Sequence, residues 1–230
     1  MSYFRISVLI AVLLLLAPFQ ALAADPAKVA KIQNSTAVLN EIMASPDNGI
    51  PADLLRRAQG IAVIPSFLKA GFIFGADYGK GVLVRRSPDG TWSDPAFVTI
   101  GGGNFGLQIG AESTDLILVF TTPRSLDAIE HGKLLLGGTI SVAAGPVGRS
   151  GYAATDATLR TEVFSYSRSR GIFAGVALDG AALSLDYAAN RDFYGVGDPM
   201  RQRALTVPDS ARRFACTLAS YTGGPKHMCA

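Results

Sequence analysis

One glycine pattern in the sequence has the spacing of a phosphate-binding loop. Gly101, Gly103 and Gly106 satisfy G-x-G-x-x-G, and Asp127 follows at about the distance of 20 residues that is typical of dinucleotide-binding proteins. Such a loop must open a helix, because the helix N-terminus supplies the backbone donors that hold the pyrophosphate. Residues 105–111 instead alternate with the two-residue period of a strand. The sequence therefore argues against a nucleotide site.

Residues that could catalyse a reaction or bind a metal are sparse. The two histidines, His131 at a predicted helix end and His227 in the tail, have no neighbour at metal-ligand spacing. Ser150 lies in a glycine-flanked turn and lacks the G-x-S-x-G pattern of an activated nucleophile. Asp179 and Asp186 could act as a carboxylate pair if the fold joined them, but acids at turns and strand edges need no catalytic role. We predict a protein without enzymatic activity or cofactor.

Basic side chains form a more informative pattern. Tyr166, Arg168 and Arg170 occupy alternate positions of a predicted strand and would share one face as a cationic ladder. Near an anionic membrane each such cation contributes about 1 kcal/mol. The helix-to-sheet region adds Arg56, Arg57 and Lys69. The alternative is a solvated charged face with no ligand, which is the usual role of a charge run.

Overall charge excludes one class of partner. The chain has 21 Lys and Arg against 18 Asp and Glu, a formal net charge of +3. This excess is too small for the basic surface that nucleic acid requires. The length is sufficient for a single well-buried core, and we predict one domain over residues 24–230.

The N-terminal residues have the pattern of an export signal. Arg5 precedes an apolar run from Ile6 to Ala17, which is too short to span a bilayer comfortably, and Ala21-Leu22-Ala23 provides a cleavage pattern. We predict a signal peptide over residues 1–23. Because no cysteine follows the cleavage point, we predict a periplasmic or secreted protein that is not a lipoprotein and has no transmembrane helix after cleavage.

Both cysteines, Cys216 and Cys229, lie close to the C-terminal end of the sequence. An oxidising compartment would allow a disulfide between them, which would constrain the tail alone. Two unpaired thiols are the alternative.

Helices are predicted at both ends of the domain. Asp25 can cap a helix that starts at Pro26 and ends before Pro46. Its apolar stripe consists of Val29, Ile32, Thr36, Leu39 and Met43. We expect this stripe, with Leu39 at its centre, to reach a membrane beside the cationic ladder. A short helix from Pro51, ended by a left-handed Gly60, one from Thr122-Pro123 to near Gly132, and a C-terminal helix over 208–221 complete the set.

Short segments between these helices alternate in the manner of strands. The predicted strands are 61–64, 71–78, 81–85, 96–100, 105–111, 115–120, 139–144, 161–168, 171–178 and 181–187. The Ser87-Pro88-Asp89-Gly90 segment has the residues of a tight hairpin turn. Glycines such as Gly75 and Gly103 favour a strongly curved sheet in which they are buried. We predict an α+β fold with a curved, mainly antiparallel sheet or barrel-like core.

Several ordered motifs resemble the SYLF-domain family. They are Arg57–Pro65 (RAQGIAVIP), Lys69–Phe72 (KAGF), Trp92–Pro95 (WSDP), Gly145–Arg149 (GPVGR), Tyr166–Gly175 (YSRSRGIFAG) and Asn190–Tyr194. Together they extend from about residue 54 to 195, and their order makes the resemblance far more specific than any single motif.

The resemblance implies a non-catalytic lipid-binding module, which in eukaryotes recognises phosphoinositides and contacts actin, with an amphipathic N-terminal helix that engages the membrane. Within the matching motifs the basic residues are Lys69, Arg149, Arg168 and Arg170, and Tyr166 is their aromatic neighbour. An exported protein has no obvious access to phosphoinositides or actin, so anionic phospholipid is the expected substitute. The alternative is a structural or protein-partner-binding envelope protein that does not bind lipid.

Overall fold

The computed structural model of this protein describes residues 25–45, 49–138, 140–146, 161–169, 172–175, 178 and 180–224. The predicted signal peptide lies outside these residues. None of the helices in the described residues is long and apolar enough to cross a membrane.

Five helices are present in the described part of the chain. They are α1 (Pro26–Met43), α2 (Ala52–Arg57), α3 (Pro123–Glu130), α4 (Tyr187–Tyr194) and α5 (Asp209–Thr222). The predicted N-terminus of α1 is confirmed: the Asp25 carboxylate accepts a hydrogen bond from the Ala27 amide at 2.9 Å, and Pro26 occupies the first turn. α5 ends at Gly223, whose φ of +70° is the left-handed conformation that glycine adopts readily.

Two predictions about helix ends are corrected. Gly60 does not cap α2; it is the first residue of the following strand, and a Cβ there would lie 2.6 Å from a Leu126 methyl. The glycine therefore makes room for α3. α4 was not predicted from the sequence; its N-cap Asp186 accepts a hydrogen bond from the Ala189 amide, and its C-cap is Gly195 at φ +75°.

The strands are fewer and longer than predicted. β1 (Gly60–Arg85) and β2 (Ala96–Phe120) each replace three predicted segments and pair antiparallel from Gly60↔Phe120 to Leu83↔Ala96. The predicted turn at Ser87-Pro88-Asp89-Gly90 is confirmed, since the Gly90 amide donates to the Ser87 carbonyl at 2.9 Å. The five shorter strands are β3 (Leu134–Leu135), β4 (Val142–Ala144), β5 (Val163–Ser169), β6 (Ile172–Gly175) and β7 (Ala182–Leu185).

The paired strands β1 and β2 double back on themselves. The Arg86 amide donates to the Gln59 carbonyl at 2.8 Å, and a Cβ on Gly81 would lie 2.1 Å from the Val63 carbonyl oxygen. The beginning and the end of β1 therefore lie side by side. We call residues 60–64, 79–85, 96–100 and 116–120 the base of this ribbon. The paired residues 65–78 and 101–115 between them are the arm.

The other strands extend the base into one curved sheet. β5 pairs antiparallel with the end of β2, β7 with its beginning, β3 with β7, and β6 with β5. The pairing of β4 with β5 is parallel. The sheet is mainly antiparallel, and helices precede and follow it in the described chain, which confirms the predicted α+β class.

Both faces of the base are buried. One face carries residues such as Val63, Val82 and Val119, which pack in a cluster with α1, α2, α4 and α5. The opposite face carries residues such as Ile64 and Leu118, which pack with α3. Because most side chains of these segments are buried, the base needs a largely apolar sequence; Lys80 is an exposed exception.

Candidate functional site

Arg168 of the predicted cationic ladder is an ion-paired residue at the root of the arm. Its guanidinium pairs with Glu41 of α1 and lies 3.7 Å from the carboxylate of Asp115 on β2. A second Asp115 oxygen accepts from the amide of Ser66 at 3.0 Å. Ser66 has a positive φ of 56° at a bulge in β1, so this carboxylate fixes a strained turn of the strand. Arg168 therefore joins α1, β5 and the arm.

Tyr166 is buried, which corrects its predicted place on an exposed ladder. Its ring lies against Gly145, where a Cβ would approach the ring to 2.1 Å, and its hydroxyl donates to the Pro146 carbonyl at 3.0 Å. Burial raises the pKa of this phenol. The alternation of β5 was predicted correctly, but the face that carries Tyr166 is the one that α1 and α5 cover.

Leu39 is also a core residue, so its predicted contact with a membrane is wrong for this fold. Its side chain is fully buried in the same cluster as Tyr166, together with Ile32 and Ile42 of α1. The apolar stripe of α1 was identified correctly. It packs on the sheet because a helix stripe and a sheet face bury more apolar surface together than apart.

Arg56 and Arg57 are exposed at the end of α2. Arg56 pairs with Asp53 one turn earlier, and the Arg57 Nε donates to the Asp53 carbonyl at 3.4 Å. Arg86 also reaches this end: its guanidinium donates to the Arg56 carbonyl at 2.8 Å and lies 5.6 Å from the Trp92 ring centre. These contacts support a structural role for the region.

Lys69 is the one predicted cation that the described residues place in the arm. Its ammonium lies 5.8 Å from the centre of the Phe67 ring. Arg149 and Arg170 lie outside the described residues, so their lipid-binding roles remain predictions. The structure places Arg56 and Arg57 on α2, Lys69 in the arm and Arg168 on β5.

The described residues contain no group of three or more His, Cys, Asp or Glu side chains that could hold a metal. His131 lies at the end of α3, where its Nδ1 is 2.7 Å from the Asp127 carbonyl oxygen. Asp186 caps α4 and pairs with Lys80 at 3.0 Å, while Asp179 and His227 are outside the described residues. Cys216 is disulfide-bonded; its predicted partner Cys229 also lies outside them.

The arm is the surface that the sequence analysis did not identify. Of its described side chains, Phe67 alone belongs to an apolar cluster of the core. Leu68 and Tyr78 are 43% and 51% exposed, although both are large apolar residues. They lie at the two roots of the arm on β1, opposite Ser113 and Gly101. Gly103 is exposed too, which corrects the prediction that it is buried. This surface could have been predicted from the sequence, because the strands contain more apolar residues than the core needs.

Fold and surface together define an α+β protein in which a helix-covered sheet carries a two-stranded arm with exposed apolar side chains. Residues 101–221, more than half of the chain, match a family described as "Ysc84: Las17-binding protein actin regulator". The chain belongs to this family, the SYLF-domain family.

Relatives with established names share a substantial part of the chain. The "LAS seventeen-binding protein 3" of Saccharomyces cerevisiae is 42% identical over 179 residues, 76% of this chain and 39% of the relative. The human "SH3 domain-containing YSC84-like protein 1" is 41% identical over 150 residues, 65% of this chain and 44% of the relative. The chain thus spans about two fifths of the length of these relatives. The name of the yeast relative describes a protein that binds another protein.

Proposed function

We propose that this protein is a non-catalytic binding protein of the cell envelope that attaches to anionic membrane surfaces through the arm. The observation that carries the proposal is the exposure of Leu68 and Tyr78 on a ribbon in which, among the described side chains, Phe67 alone belongs to an apolar cluster of the core. Exposed apolar groups that are gathered on one element typically mark a binding surface.

The sequence of the arm suits the boundary between lipid headgroups and acyl chains. Residues 70–76 and 103–111 contain no ionisable side chain, and these two stretches pair with each other. Tyr78 combines an apolar ring with a hydroxyl that can remain hydrated, as interfacial tyrosines do. Lys69 can extend its ammonium toward lipid phosphates while its methylenes stay against the apolar surface.

Apolar contact has to supply most of the affinity. Arg168 and Arg56 are ion-paired within the protein, so two of the predicted membrane-binding cations are already compensated. A cation near an anionic surface contributes about 1 kcal/mol, and full burial of a leucine side chain contributes about 1.5–3 kcal/mol. We therefore expect binding that depends on the arm first and on charge second.

Vesicle flotation of the protein lacking residues 1–23 tests this proposal. We expect flotation with vesicles of phosphatidylglycerol and phosphatidylcholine, and weaker flotation with phosphatidylcholine alone. Leu68→Asp should abolish it, because a charge must then be buried in the membrane boundary. Leu205→Asp is the matched control, since Leu205 is 77% exposed on the segment between α4 and α5. Equal flotation of both folded variants would overturn the proposal.

The second candidate function is binding of a protein partner, which the names of the relatives favour. The same exposed ribbon could dock on a protein. If the parent does not float with either vesicle, while an affinity pull-down from envelope extract loses one specific band for Leu68→Asp and keeps it for Leu205→Asp, this second function is the correct one.

A further inference from the structure

A pocket lies at the junction between the base and two helices. It has a volume of about 200 Å³ and is lined by α1, β1, β2 and the N-terminal end of α4. Its walls are largely apolar and include Ala27, Phe97, Val98 and Ala189. Drug-sized ligands occupy pockets of about 300–1,000 Å³, so this one suits a small molecule or one end of a longer molecule.

Three lysines line the same pocket. Lys28 pairs with Asp25 at 2.8 Å and approaches Asp192 at 3.6 Å, and Lys80 pairs with Asp186 at 3.0 Å. These two ammonium groups are therefore compensated within the protein.

Lys31 differs from the other two lysines. Among the described residues its ammonium has neither a carboxylate partner nor a hydrogen bond. Burial, followed by the neighbouring charge of Lys80, lowers the pKa of Lys31. An ammonium that is partly desolvated and close to a second cation is stabilised by any anion that reaches it.

We infer that this pocket binds a singly charged amphiphile, with its anionic group at Lys31 and its apolar part against Phe97 and Val98. The single charge follows from the ion pairs, which leave one of the three lysines uncompensated. The apolar part follows from the walls. Either the phosphodiester of a phospholipid or the carboxylate of a fatty acid has this chemistry.

The pocket lies beside the arm without depending on it. The Tyr78 side chain interacts with Lys80, so an exposed residue of the arm adjoins a lysine of the pocket. A lipid molecule held at Lys31 could therefore belong to the same membrane that the arm contacts. Binding of a water-soluble amphiphile, however, requires no membrane, so the two proposals can fail separately.

Calorimetric titration with monomeric probes tests the inference. The probes are dihexanoyl phosphatidylglycerol below its micelle concentration, sodium octanoate and inorganic phosphate. We expect the parent to bind at least one of the two amphiphiles and to bind phosphate much more weakly. Lys31→Met should weaken this binding by about tenfold or more, because it removes a charge-assisted hydrogen bond. Lys133→Met, a change at an exposed lysine between α3 and β3, should leave it unaltered.

A second variant separates loss of binding from loss of folding. Ala27→Leu places a larger apolar side chain in the pocket on the exposed first turn of α1, without changing charge, and should also abolish binding. Preference for one amphiphile identifies the phosphodiester or the carboxylate as the anionic group. The inference is overturned if neither amphiphile binds, if Lys31→Met and Ala27→Leu both bind as the parent does, or if inorganic phosphate binds equally well. A Leu68→Asp variant that binds the monomer but not vesicles would leave the pocket standing and confirm the separate role of the arm.

Discussion

The base and the arm belong to the same two strands, yet they are built on opposite principles. In the base, both faces are covered by helices, and residues such as Val63 and Leu118 are fully buried. In the arm, backbone pairing continues, but among the described side chains Phe67 alone joins an apolar core cluster, and Leu68 and Tyr78 remain exposed. Each of the strands β1 and β2 therefore passes from a buried environment in the base to a more exposed one in the arm. Backbone hydrogen bonds hold the ribbon together throughout, whereas among the described side chains apolar core packing lies mainly in the base, with Phe67 as the arm's contribution.

Glycine has a different role in each region. Gly81 of the base has no room for a side chain because the two ends of β1 approach each other there. Gly101 of the arm has ordinary free space, with its nearest neighbour 3.5 Å from the position of a Cβ. Gly102 of the arm is an exception, since a Cβ there would lie 2.8 Å from the Ala181 Cα. Glycine in this ribbon therefore marks close backbone approach at some positions and open space at others.

The largest effect should come from adding one methyl group to the base. In Gly81→Ala the Cβ would lie 2.1 Å from the Val63 carbonyl oxygen and 2.7 Å from the Ile64 Cα, so backbone has to move. We expect a loss of about 3 kcal/mol or more in the free energy of unfolding, at the upper end of overpacking effects. Gly101→Ala should change it by less than about 0.5 kcal/mol. Urea denaturation of both variants checks this, and similar losses in the two would refute the division into base and arm.

Leucine truncation should separate the two regions in the same way. Leu118→Ala leaves a cavity in a fully buried cluster and should cost about 2–5 kcal/mol. Leu68→Ala removes an exposed side chain and should cost less than about 0.5 kcal/mol. Thermal unfolding followed by circular dichroism distinguishes them. A large loss of stability for Leu68→Ala would mean that the arm is packed against another part of the chain.

A small, pH-dependent effect is expected where the arm meets the base. Burial alone would raise the pKa of the Asp186 carboxyl, but the Ala189 amide and the Lys80 ammonium outweigh it and hold the pKa below its usual range. A lowered folded-state pKa contributes stability above the unfolded-state pKa, and this contribution is lost as pH falls through the folded-state value.

Asp186→Asn keeps an acceptor for the Ala189 amide but loses the ion pair with Lys80. We expect a loss of less than about 1 kcal/mol at neutral pH, because Lys80 is half exposed and its pair is screened by solvent. The difference between parent and variant should shrink toward zero in acid. Urea midpoints at neutral and acidic pH provide the measurement, and a difference that grows on acidification would contradict the assignment.

Sequence periodicity predicted the helices and strands that have one apolar face and one polar face. The stripe of α1 through Leu39 and the alternation of Tyr166 with Arg168 were both identified correctly, because they depend on local geometry. Which face is covered depends on contacts far apart in the chain. Leu39 and Tyr166 were therefore predicted to lie on a membrane surface, whereas both are buried in the same cluster of the core.

Continuous strands and distant ion pairs could not be predicted. Residues 65–70 lack a clear alternation because β1 has a bulge there, at Ser66. Glu41 and Asp115 are both far from Arg168 in the sequence. The ion pairs that neutralise the Arg168 guanidinium are therefore visible only in the folded structure. By contrast, α4 could have been predicted from the sequence. Asp186 and Gly195 are common N-cap and C-cap residues, and the eight-residue helix lies between them.

The most direct test of the account is whether the arm enters a membrane while the base does not. Trp92 is the single tryptophan of the chain; it is buried, and its indole donates to Thr222 at 2.9 Å, so its fluorescence provides a constant background. Tyr78→Trp places a reporter in the arm, and Leu205→Trp places one on an exposed segment elsewhere. With vesicles containing phosphatidylglycerol, we predict a blue shift and quenching by brominated acyl chains for Tyr78→Trp and neither for Leu205→Trp. An unchanged Tyr78→Trp spectrum, with the protein still bound to the vesicles, would contradict the account.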